Sequence, residues 1–96
     1  MKKKIKNELI NELVIMLKIL ANKHRLRILE LIKKKGEKSV GQIADHLEIP
    51  FNTASKNLLY LSKKGILARR YDEPFVLYKI SVSFPKPINT IISSLL

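Results

Sequence analysis

The chain contains no cysteine, which excludes disulfides and thiolate-ligated metal centres and fits a reducing cytosol. Long apolar runs are also missing. The longest, Leu13 to Leu17, is five residues, against the ~20 that a membrane-spanning helix needs. Lys2, Lys3 and Lys4 followed by apolar residues have the outline of a secretion signal, but Asn7, Glu8, Asn11, Glu12 and Lys18 interrupt the apolar region that such a signal requires. These features point to a cytoplasmic chain that does not enter a membrane. Acidic residues are scarce, 8 against 19 Lys and Arg. Clustered acids, a Gly-rich phosphate loop, a His–carboxylate pair in apolar surroundings and a nucleophilic Cys are all lacking. No enzyme activity and no cofactor are expected.

What is present is a small, basic, foldable chain. At 96 residues and 46% apolar content it forms one domain, residues 1–96, with limited burial, so dimerisation would help it. The net charge of +11 favours a polyanionic partner, either DNA, RNA or an anionic membrane surface, although a lysine-rich genome would leave the same mark. No internal repeat and no low-complexity linker interrupts it.

From Ile5 to Leu20 the apolar residues follow a helical period but fill more than one stripe. Leu9, Leu13, Met16 and Leu20 form one row, with Ile10, Val14 and Leu17 beside it. A helix on a monomer surface needs one apolar stripe. The surplus predicts that the second row meets another chain, the alternative being deeper burial in its own domain. Asn22 is a credible N-cap for a second helix that ends at Lys33-Lys34-Lys35-Gly36, with Leu26, Leu29 and Ile32, or Ile28, Leu31 and Ile32, facing inward. Arg25 and Arg27 at its start oppose the helix dipole, which suggests a contact to phosphate or to a carboxylate such as Glu30.

Ser39 to Gln42 reads as a capping box opening a short helix whose inward set is Val40, Ile43, Ala44 and Leu47. Pro50 then suits the entry of the next helix, about 51–64, closed by Gly65. Ala54, Leu58 and Leu61 share its inner face, leaving Asn52, Thr53, Ser55, Lys56 and Asn57 elsewhere with no acid among them. Two short helices joined by so brief a turn make a helix-turn-helix over 39–65. Ile66 to Tyr71 and Phe75 to Ile80, around Asp72-Glu73-Pro74, predict a β-hairpin wing over 66–80. Pro85 and Pro87 precede a striped helix over 88–96, too short to stand alone in water, and the spare stripe of the first helix is its obvious partner. Aromatic residues in this pattern, Tyr60, Tyr71 and Tyr78, are expected more in the core than as base-stacking groups.

Leu20 to Ile32, Ile43-Ala44 through Leu47, Asn52 to Leu61 and Gly65-Ile66-Leu67 together resemble the arsenic-repressor (ArsR/SmtB-type) family of winged helix-turn-helix transcription regulators, from about Leu17 to Ile80. The resemblance implies a mainly α fold with a small β-hairpin. It also implies a homodimer held by helices 5–20 and 88–96, through Leu9, Ile10, Leu13, Val14, Leu17, Ile88, Ile91, Ile92 and Leu95. The reading helix would present Phe51, Asn52, Thr53, Ser55, Lys56 and Asn57 to double-stranded DNA. Ser55 would touch phosphate, Asn57 adenine, and Lys56 guanine or phosphate. Arg69, Arg70 and Lys79 would hold the wing near phosphates, with Arg25 a further contact. The acidic tip Asp72-Glu73-Pro74 departs from the usual wing and argues against deep minor-groove insertion. Where thiolate-type members carry Cys, Ser39 and Gly41 stand here. Residues 88–96 have neither His nor carboxylate, and His24 and His46 are isolated, so no metal site of the family's known types is expected and the effector stays unassigned. The expected function is a homodimeric, sequence-specific DNA-binding regulator of the repressor kind; a winged-helix protein-interaction module is the alternative.

Overall fold

The computed structural model describes residues 2–83. Helix α1 (Lys2–Leu20) leads into α2 (Lys23–Lys35), strand β1 (Lys38–Ser39), α3 (Val40–Leu47), α4 (Phe51–Lys63) and the hairpin β2 (Leu67–Asp72) and β3 (Phe75–Ile80). The expected helix over 88–96, with Ile88, Ile91, Ile92 and Leu95, lies outside the described residues. Among the described residues no helix is long and apolar enough to cross a membrane.

Local signals in the sequence account for most of the boundaries. The Asn22 side chain accepts the backbone N–H of Arg25 at 3.1 Å and so starts α2. Gly36, at φ +83°, ends it where a side chain would be strained. Both halves of the α3 capping box form: Gln42 N–H donates to Ser39 Oγ at 3.2 Å, and Ser39 N–H to Gln42 Oε1 at 2.9 Å. Glu48 closes α3 in the left-handed region at φ 55°. Pro50 precedes α4, and Gly65 at φ +77° turns the chain out of it into β2.

The core is a single cluster. Ile28, Leu29, Leu31 and Ile32 of α2, Ile43, Ala44 and Leu47 of α3, and Ala54, Leu58 and Leu61 of α4 meet Ile66, Leu67 and Tyr78 at the base of the hairpin. Both inward sets proposed for α2 are buried except Leu26, which stays exposed. The sheet order is β1-β3-β2, antiparallel throughout, with Ser39 opposite Leu77 and Arg69 opposite Tyr78. Strand β1 has no sequence signature: Ser39 is read as the cap of α3, Lys38 belongs to no expected element, and only the third dimension supplies their partner strand.

Two expectations need correction. Neither Arg25 nor Arg27 bonds to Glu30, which instead lies 3.9 Å from Lys34, one turn along its own helix. Arg27 Nη2 donates to the Leu47 carbonyl at 3.1 Å, tying the end of α3 to α2. Tyr71 is not a core residue. Alternation puts it on the same face as Tyr78, but it lies nearer the tip, beyond the helices, and is 71% exposed against 2% for Tyr78.

Candidate nucleic-acid interface

Because Ala54, Leu58 and Leu61 anchor one side of α4 at full burial, helical geometry decides where the others go. Asn52, Lys56 and Lys63 fall on the opposite, free side. Thr53, Asn57 and Tyr60 occupy one flank and Ser55 the other. Phe51, Asn52 and Lys56 are exposed, and Thr53, Ser55 and Asn57 are half-buried. All six thus reach the surface on or beside one helix. One amide hydrogen of Asn57 is engaged by the Thr53 carbonyl at 2.9 Å, which leaves Oδ1 and the second hydrogen for an external partner.

Arg25 joins this surface from another element. With Thr53, Lys56, Asn57 and Tyr60 it lines a cleft of about 280 Å³. Its guanidinium lies 4.5 Å over the Tyr60 ring and donates to the Ile19 and Lys18 carbonyls. Lys64 approaches the same ring, at 5.7 Å. Tyr60 therefore contributes as a platform for cations, a role the sequence does not signal.

The three wing cations do not converge. Successive strand residues point to opposite faces, so Arg69 shares the face of Leu67 and Tyr78 while Arg70 and Lys79 occupy the other. Arg69 bonds the Tyr71 hydroxyl at 3.1 Å and sits over that ring. Arg70 is gripped by Glu37, both carboxylate oxygens accepting at 2.7 and 2.9 Å. This fork holds the Glu37 carboxyl below its ordinary range and the Arg70 guanidinium above its own, first through the hydrogen bonds and then through charge. Glu37 is 33 residues from Arg70 in sequence, so no local spacing could have pointed to it. Lys79 is exposed.

Helix α1 presents the second surface. Leu9, Ile10, Leu13, Val14, Ile15 and Leu17 are 43–59% exposed, and contact with the core is made by Met16, Ile19 and Leu20 at the C-terminal end. Both apolar rows are therefore open over most of their length, rather than one facing inward. Elsewhere, Arg27, Glu30, Lys34, Lys35 and His46 rim a shallow groove between α2 and α3. Among the described residues no three His, Asp or Glu side chains converge as metal ligands would.

A family model described as a helix-turn-helix domain matches residues 20–70. The transcriptional activator HlyU of Vibrio cholerae serotype O1 is 34% identical over 68 residues, which are 71% of this chain and 62% of that protein, so the match spans less than two thirds of that relative. The structure of reduced HlyU from Vibrio cholerae N16961 superposes with a TM-score of 0.80 at 28% identity, covering 99% of this chain and 94% of that one. The homodimeric winged helix-turn-helix DNA-binding domain of Mb0332 from Mycobacterium bovis, a possible ArsR-family transcriptional regulator, gives 0.74 at 29% identity over 94% and 80% of the two chains.

Proposed function

Because the chain belongs to the helix-turn-helix family, in its winged ArsR-type form, we propose that it is a homodimeric transcriptional repressor that reads a palindromic duplex site through α4. The observation that carries this is the division of α4 itself. Ala54, Leu58 and Leu61 are fully buried, while an acid-free set from Phe51 to Asn57 reaches solvent.

Each copy lays the N-terminal half of α4 in a major groove. Lys56 and Asn52 lie at the centre of the free side and address base edges; Asn57 offers its remaining amide hydrogen and Oδ1 to adenine. Ser55 and Thr53, on the flanks, meet phosphates, and Phe51 meets a thymine methyl. Arg69 and Lys79 approach the flanking backbone from opposite faces of the wing, whose acidic tip stays out of the minor groove. The exposed face of α1 joins two copies, which sets two reading helices ~34 Å apart on successive turns.

Selection of bound sites from a random duplex pool, followed by competition against random duplex, tests this. The expected result is a palindromic consensus, lost selectivity in Lys56→Ala and Asn57→Ala, and log affinity falling with log salt at about −0.9 per phosphate neutralised. Equal losses on selected and random duplex would remove base readout. No binding to any duplex at micromolar protein and ~150 mM salt, where nonspecific constants are usually 10⁻⁴–10⁻⁶ M, would favour a protein-interaction module instead. Transcription from a promoter overlapping the selected site decides the sign: a fall is expected, and a rise would make the protein an activator.

A further inference from the structure

We infer that Arg25 is a positioning residue that fixes the angle between the dimer helix α1 and the reading helix α4, and so selects which half-site spacing the dimer accepts. This rests on the reading above, in which α1 pairs two copies and α4 enters the groove.

A helix leaves its last four carbonyls without partners inside the helix. Here Leu17 O accepts from Ala21 N–H at 2.8 Å and Leu20 O from Asn22 N–H at 2.7 Å. The remaining two, Lys18 O and Ile19 O, are taken by Nη2 and Nε of the same guanidinium, that of Arg25. The backbone of Arg25 is in turn pinned by the Asn22 cap, and its guanidinium carbon lies 4.5 Å from the centre of the Tyr60 ring of α4. One side chain therefore touches the end of α1, the start of α2 and the flank of α4 that carries Thr53 and Asn57. Among the described residues α1 packs on the core through its last turns, at Met16, Ile19 and Leu20, so this polar strut acts at the base of the helix.

The lever is long. At 19 residues α1 extends ~28 Å, so a tilt of about 10° at its base carries the far end ~5 Å. That is more than the ~3.4 Å rise of one base pair, so loosening the strut weakens the discrimination against half-sites moved by one base pair, although the accompanying rotation of about 35° still costs binding. The planar fork also distinguishes this role from a plain phosphate contact. Lysine retains the charge, but its donors sit on one rotatable ammonium, so it lacks both the rigid planar fork and a plane to lay on tyrosine.

The test measures affinity of the full chain for the selected duplex, for versions with the half-sites moved by one base pair either way, and for a single half-site. Wild type, Arg25→Lys, Arg25→Ala and Tyr60→Leu are compared, each checked for cooperative thermal unfolding. Wild type is expected to prefer the selected spacing. Arg25→Lys and Tyr60→Leu are expected to lose about tenfold of that preference while the salt slope, which counts charges at the phosphates, stays at the wild-type value. The inference is overturned if Arg25→Lys behaves as wild type while Arg25→Ala lowers the salt slope by about 0.9 per subunit, which makes Arg25 a phosphate contact. Unchanged spacing preference in all variants overturns it equally. A wild type that binds one half-site as tightly as two removes the dimeric reading underneath, a result distinct from either.

Discussion

Replacing Leu13 by Glu should take the dimer apart while leaving each subunit folded. Leu13 sits mid-way along α1 and is 48% exposed, one of six apolar side chains on that helix between 43% and 59% exposed. Full burial of such a side chain is worth ~1.5–3 kcal/mol, so covering the open half contributes ~1 kcal/mol per side chain and ~10 kcal/mol for five in each of two copies, Ile15 lying on the opposite side of the helix. Association itself costs an estimated ~4–15 kcal/mol, so the balance is fine enough for one position to matter. A twofold interface loses Leu13 twice, ~2 kcal/mol, which weakens the dimer ~30-fold before any penalty for burying the carboxylates. Glu is a good helix former, and the site makes no core contact, so helix content should be retained. Sedimentation equilibrium over a concentration series checks the mass and far-UV circular dichroism the fold. Identical association of variant and wild type, or a wild type that stays monomeric at the highest concentration, would refute the assignment of α1.

Two further outcomes follow from local geometry. Glu48 holds a left-handed backbone at φ 55°, a conformation that costs a side-chain-bearing residue ~1–2 kcal/mol. Glu48→Gly should therefore raise the unfolding free energy by a net ~0.5–1 kcal/mol after the added freedom of the unfolded chain, seen as a higher urea midpoint, and a lower midpoint would contradict this. The Glu37 carboxyl titrates below its ordinary value because Arg70 grips it, so its contribution is present above the unfolded value of ~4.3 and is lost as pH falls through the folded one. Wild type should outlast Glu37→Gln in thermal unfolding at pH 7, by a small margin since both groups reach solvent, with the gap closing below about pH 4. A gap that is constant with pH would show that charge is not its source.

Much of this fold is legible in short-range chemistry. Asn22 and Gly36 bound α2, the Ser39–Gln42 box starts α3, and Pro50 and Gly65 bracket α4, because caps and left-handed glycines act within a few residues. The hairpin strands follow from β-branched and aromatic enrichment, the second as expected and the first moved one residue along at both ends, to Leu67–Asp72. Strand β1, the Glu37–Arg70 fork and the reach of Arg25 to Tyr60 are not legible, since each joins segments far apart in the chain. The division of the wing cations could have been read beforehand: Arg69 and Arg70 are neighbours in a strand and must point to opposite faces. The exposure of both apolar rows of α1 is different again. A second row signals a second surface, but only the packed structure shows that Leu9 and Leu13 of the first row are exposed as well.

The central claim is that the acid-free side of α4 is the surface that meets nucleic acid. Titrating isotopically labelled protein with its selected duplex and following the backbone amides tests it most directly. Shifts concentrated at Phe51 to Asn57, with weaker ones at Arg69 and Lys79, are the predicted result. Shifts centred on the other basic surface, the groove of Arg27, Lys34, Lys35 and His46, with α4 unmoved, would contradict it.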